Sequence, residues 1–124
     1  MNGYIMVLLG GGVGSVLRFL ISTVIMTRTG SRFPLGTVFI NITGSFLIGL
    51  LMTLLTERLS PNPNLRLLLV TGFLGGYTTF SSFGWESAKM FEAGEWLRAS
   101  TYVLASVILG LLLSAAGIRL ANRL

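Results

Sequence analysis

The chain has 124 residues, 52% of them hydrophobic and 10% charged, with 9 Lys and Arg against 4 Asp and Glu for a net charge of +5. So few charges exclude a water-soluble domain of this length, because a small domain has a high surface-to-volume ratio and needs polar residues to cover it. The absence of cysteine excludes disulfides and thiolate metal sites, and the absence of histidine excludes imidazole catalysis, proton shuttling and the usual transition-metal ligands.

A crossing helix needs about 20 predominantly apolar residues, and four segments qualify: 4–26, 35–55, 65–90 and 99–121. Long apolar runs exclude a β-barrel, whose strands alternate over about 10 residues. The expectation is an all-α integral membrane protein, a single transmembrane domain over 1–124 with four transmembrane helices per subunit. Met1 to Met6 carry no Lys or Arg and no small-residue cleavage site follows, so the first segment is expected to remain as a span rather than to be removed. The connections are short: 27–34, then 56–64 with the turn formers Ser60-Pro61-Asn62-Pro63-Asn64, then 91–98.

The first segment carries Arg18 and the small pair Gly10 and Gly14; Ser45 and Gly49, and Gly72 and Gly76, repeat that four-residue spacing. Such pairs let helix backbones approach, within one subunit as readily as between two. In the second segment Thr37, Asn41 and Ser45 fall on one face, and in the fourth Tyr102, Ser106 and Ser114 form a similar stripe, interrupted by Gly110. Either stripe serves interhelical hydrogen bonding or a polar path. Asn41 offers two neutral N–H donors, enough to hold an anion without the tight binding of a fixed charge.

The third segment contains Gly72-Phe73-Leu74-Gly75-Gly76-Tyr77-Thr78-Thr79-Phe80-Ser81-Ser82-Phe83. Three glycines in five residues, then a Thr/Ser cluster, are poor material for a continuous helix and are expected to break it in mid-membrane, ahead of Phe80. Unwound backbone there must be buried in protein or line a cavity, and its carbonyls can hold a cation such as Na+. Phe80 and Phe83 are three apart, on one side of a helix. Their positive ring edges suit a dehydrated anion, although core packing accounts for most such pairs.

Four crossings put Arg58, Arg66, Arg119 and Arg123 on one side and Arg28, Arg32, Lys89 and Arg98 on the other. With no Lys/Arg excess to set orientation, the expectation is a chain that inserts both ways and pairs as an antiparallel dual-topology homodimer. The scattered basic residues form no nucleic-acid patch, leaving membrane lipid and anions as partners.

Gly11-Gly12-x-Gly14 with Arg18, Gly36-Thr37-x-x-x-Asn41-x-x-Gly44-Ser45-Phe46, and Gly75-Gly76-Tyr77-Thr78-Thr79-Phe80-Ser81-Ser82-Phe83 closely resemble the Fluc (CrcB) family of bacterial fluoride channels. The resemblance covers all four segments. It implies a multi-pass protein of the bacterial inner membrane, an antiparallel homodimer with two pores, passive F− conduction that rejects Cl−, and one structural Na+ at the dimer interface. Carried over, Asn41 resembles the pore asparagine, Phe80 and Phe83 the paired phenylalanines, and Gly75 and Thr78 the backbone-carbonyl positions that hold Na+. Thr79, Ser82, Tyr102 and Ser106, with Thr37 on the second-segment stripe, match polar pore-side groups, and Arg18 matches the first-helix arginine. Glu86 and Ser114 fall where a vestibule or an extension of the polar track would be. Tyr77 stands where the family more often has Phe, and Ser82 where it often has Thr. The alternative, a proton-coupled small multidrug-resistance transporter, relies on a membrane-embedded Glu in its first helix, where this chain has Arg18 and no carboxylate.

Overall fold

The computed structural model describes residues 2–58 and 62–124; Met1 and the stretch 59–61, with Ser60 and Pro61 of the second connection, lie outside the described residues. The described residues form helices joined by short connections. Helix α1 spans Gly3–Thr29. The Asn2 side chain begins it by accepting the Tyr4 N–H at 2.8 Å, and Gly30 ends it in the left-handed region (φ 58°) with its N–H on the Met26 carbonyl. Both are ordinary devices for the orphan groups at helix ends.

Helix α2 spans Leu35–Arg58, with a wider π-helical last turn from Leu54. Helix α3 covers residues 63–77. Asn62 caps it by accepting from the N–H groups of Asn64 and Leu65, and Pro63 fills its first position, where a missing N–H costs nothing. Its middle, Leu67–Leu74, is π-helical, an unusually long run for a conformation normally confined to single turns. Helix α4 spans Phe80–Glu92 and α5 spans Trp96–Arg123, separated by a turn through Gly94 (φ 78°). Helices α1, α2 and α5 are each long and apolar enough to cross a membrane. Each runs a few residues past the apolar stretch read from sequence.

Two contacts hold the bundle. Helix α1 lies along α3, and α2 lies along α5. Along α1 and α3 the backbones touch: a Cβ on Gly10 would overlap the Leu68 carbonyl, on Gly14 the Phe73 carbonyl, and on Gly76 the Gly11 carbonyl. The second contact is built alike, since a Cβ on Gly49 would overlap the Ser114 carbonyl and one on Gly117 the Phe46 carbonyl. Ser114 Oγ donates to the Ser45 carbonyl across it at 2.8 Å. All three small-residue pairs read from sequence are therefore used inside one chain. Small residues are the means by which membrane helices gain dispersion contact without a hydrophobic driving force.

Within the stretch expected to break ahead of Phe80, Gly72, Gly75 and Gly76 are all helical, and helical geometry is lost at Thr78 (φ −87°, ψ 158°) and Thr79 (φ −148°, ψ 113°). Gly72 and Gly76 are needed for the approach of α1, and that packing keeps them in the helix.

Candidate functional site

A helix that stops inside an apolar bundle leaves carbonyl and N–H groups that must be partnered, since an unpaired buried one costs about 1–3 kcal/mol. The end of α3 and the start of α4 meet this demand with side chains from other helices. The Leu74 carbonyl accepts both the Thr78 N–H at 3.0 Å and the Thr78 hydroxyl at 2.9 Å. Arg18, from α1, donates Nε to the Gly76 carbonyl at 2.9 Å, placing its charge at the negative end of α3.

Asn41, from α2, clasps Thr79. Its Oδ1 accepts the Thr79 N–H at 2.8 Å while its Nδ2 donates to the Thr79 carbonyl at 2.9 Å. In a continuing helix that Thr79 N–H would bond to the Gly75 carbonyl, so the clasp frees the Gly75 oxygen. Thr79 also caps α4, its Oγ1 accepting the Ser82 N–H at 3.2 Å. Beneath the clasp the Tyr77 hydroxyl shares a 2.8 Å hydrogen bond with Thr43 Oγ1, and the Tyr77 ring stacks on Phe73 with centroids 5.8 Å apart.

The interruption forms one wall of a cavity of about 620 Å³. Asn41, Gly75, Thr78, Thr79, Phe80, Phe83 and Ser106 all line it, which brings seven of the sequence-predicted residues together. Ser106 Oγ is buried there without a hydrogen-bond partner among the described residues. Most buried polar atoms have partners, and Ser106 Oγ is an exception beside the cavity. Phe80 and Phe83 stack with centroids 5.6 Å apart, and Phe80 is 72% exposed.

The remaining candidates lie elsewhere. The Tyr102 hydroxyl donates to Glu86 Oε1 at 3.0 Å, and the Tyr102 ring meets Phe83 at 5.2 Å and Phe33 at 5.5 Å. This cluster around the buried Tyr102 adjoins the cavity through Phe83. Thr37 is buried on α2, Ser82 bonds to Thr79 at 3.1 Å, and Ser114 sits in the α2/α5 contact. Sequence reasoning missed Thr71, an exposed hydroxyl in the cavity lining. Its spacing held the signal, since Thr71, Gly75 and Thr78 stand at i, i+4 and i+7 on one helical face.

Fold and cavity together define an α-helical membrane protein with a cavity beside an interrupted helix. The chain belongs to the CrcB family: the family model described as "CrcB-like protein, Camphor Resistance (CrcB)" matches residues 5–118. It is 54% identical over 121 residues to a protein of Solibacter usitatus named "Fluoride-specific ion channel FluC", covering 97% of this chain and 98% of that one. Proteins of the same name from a Hydrogenobaculum species and from Aquifex aeolicus are 48% and 43% identical, over 92% and 95% of this chain and 93% and 95% of theirs.

Proposed function

We propose that the chain is a fluoride-selective passive channel, and not an enzyme, that lets F− leave a bacterial cell across the inner membrane. The observation that carries the reading is the cavity at Thr78 and Thr79, where the Asn41 amide and the partnerless Ser106 hydroxyl stand beside Phe80 and Phe83. These are neutral donors and aromatic rings, with no cation in the lining. An anion held this way is released readily, as conduction requires. Asn41 retains a second Nδ2 hydrogen beyond the one given to Thr79. The Arg18 charge, turned to the Gly76 carbonyl, contributes a positive field rather than a trap.

Helices α3 and α4 together make a third crossing, interrupted at Thr78–Thr79, so that the subunit crosses four times. The balanced Lys/Arg distribution and the exposure of Phe80 support an antiparallel homodimer with two pores. Gly75 and Thr78 fit a Na+ site at its centre: the Gly75 carbonyl has lost its helical partner, both residues border the cavity, and neutral backbone oxygens are the donors that unwound membrane helices offer Na+. Bound there, Na+ would hold the two interrupted helices together.

The physiology follows from acid–base chemistry. Neutral HF crosses the bilayer, dissociates in the more alkaline cytoplasm and is trapped as F−. A membrane potential, negative inside, drives the anion out at about 2.3 kcal/mol per charge per 100 mV. The test is anion efflux from liposomes holding the purified protein, with valinomycin carrying the balancing K+ and electrodes reading F− and Cl−. Rapid F− release with negligible Cl− release is expected. Correctly folded protein that releases neither ion would overturn the reading.

A further inference from the structure

Helices α1 and α2 flank a second groove of about 740 Å³, lined by Leu20, Ile21, Val24, Ile25, Val38 and Phe39 among other apolar side chains. No polar side chain lines it, so it holds neither water nor an ion. It lies along two helices that are each long and apolar enough to cross a membrane, so its surroundings are acyl chains. One end is closed by the α1–α2 connection, where Leu35 both lines the groove and opens α2.

Arg28 stands above that end. It follows Val24 by four residues and Ile25 by three, which puts it one turn beyond them on the same helical face. It is exposed and has no ion-pair partner among the described residues, unlike Arg32, which pairs with Glu95 at 3.5 Å, and Arg98, which pairs with the same carboxylate at 3.0 Å. The Arg32–Glu95 pair ties this connection to the start of α5, where Trp96 is 65% exposed. Exposed tryptophan beside paired charges is the signature of the headgroup layer. An apolar groove in the hydrocarbon thus ends at an uncompensated cation in the interface.

We infer that this groove binds an anionic phospholipid, one acyl chain lying between α1 and α2 and the phosphate on Arg28. The occupant is specified by charge. A zwitterionic lipid would fill the groove equally well but gain less from Arg28, and a cation near the surface of an anionic leaflet is worth about 1 kcal/mol, or roughly fivefold in binding. The inference needs only that α1 and α2 span the membrane, and is independent of which ion the protein conducts.

The test is native mass spectrometry of the full chain released from a neutral detergent, with dioleoyl phosphatidylglycerol or dioleoyl phosphatidylcholine added. The wild type is expected to retain phosphatidylglycerol in preference to phosphatidylcholine by about fivefold. Arg28→Gln should erase that preference while leaving phosphatidylcholine retention unchanged. Val24→Trp, at a position already part-exposed, should fill the groove and lower retention of both lipids. Equal retention of the two lipids by the wild type, or a preference that survives Arg28→Gln, would overturn the assignment. So would a disulfide between copies carrying Val24→Cys, because a second copy of the chain would then occupy the groove. Circular dichroism and size exclusion of each variant separate lost binding from lost fold.

Discussion

The two faces of α3 use the same short stretch of sequence in opposite ways. On the α1 side, Gly72 and Gly76 bring backbone against backbone so closely that no side chain fits. On the α2 side, Gly75, Thr78 and Thr79 leave a cavity in which Ser106 has no partner. One face spends its small residues on contact and the other on space. A membrane interior tolerates polar, unwound backbone only where it is buried in protein or lines a cavity; the α1 side keeps α3 in place, and on the α2 side contact is kept where Thr78 meets Gly44.

The sharpest way to break this contrast is to add a side chain to the sealed face. Gly76→Val would drive a branched carbon into the Gly11 carbonyl, and overpacking of this kind should cost about 3 kcal/mol or more, read as loss of the folded species in a detergent denaturation titration. Gly12→Ala, where an added Cβ meets nothing within 4 Å, should be silent in the same titration.

Next in size is the clasp. Asn41→Asp keeps the acceptor for the Thr79 N–H but replaces the donor to the Thr79 carbonyl with a second acceptor. Fluoride efflux from liposomes should fall at least 100-fold, on the order of 3 kcal/mol by the tenfold-per-1.4 kcal/mol relation, because a buried carbonyl is left unpaired and negative charge borders the path. Undiminished efflux would remove Asn41 from the pore.

Ser106→Ala separates the two faces most cleanly. Its hydroxyl has no partner to lose, so thermal stability should be unchanged or slightly raised, while fluoride efflux drops about tenfold if the hydroxyl donates to the ion, the strength of a hydrogen bond to a charged group. Ser106→Thr should restore efflux. Smallest is Tyr77→Phe, which removes one hydrogen bond to Thr43 and should cost about 1 kcal/mol of stability, with the aromatic stacking on Phe73 preserved.

Much of this was legible in the chain itself. Long apolar runs located α1, α2 and α5, because crossing a hydrocarbon layer demands them irrespective of the neighbours. The stripe of Thr37, Asn41 and Ser45 put Asn41 and Ser45 on one face of α2, where both border the cavity, because helical periodicity is local. Less legible was the point of interruption. The glycines and the Thr/Ser cluster placed a break somewhere ahead of Phe80; contact with α1 holds Gly72 and Gly76 helical and the chain lets go at Thr78 and Thr79, where Asn41 supplies substitute partners. The roles of the polar side chains were likewise undetermined. Ser114 and Ser106 sit eight residues apart on one stripe, yet one bonds across a helix contact and the other is buried with no partner among the described residues.

By itself the sequence determined the class of solvent, the positions of the apolar spans and the family, since these depend on composition, run length and residues in fixed order. The tertiary structure alone decided which glycines touch a backbone, which hydroxyls are left free and where the helix stops. Those are properties of pairs of helices, and a residue's partner across such a contact is 38 positions away for Asn41 and 58 for Arg18, beyond the reach of any local pattern.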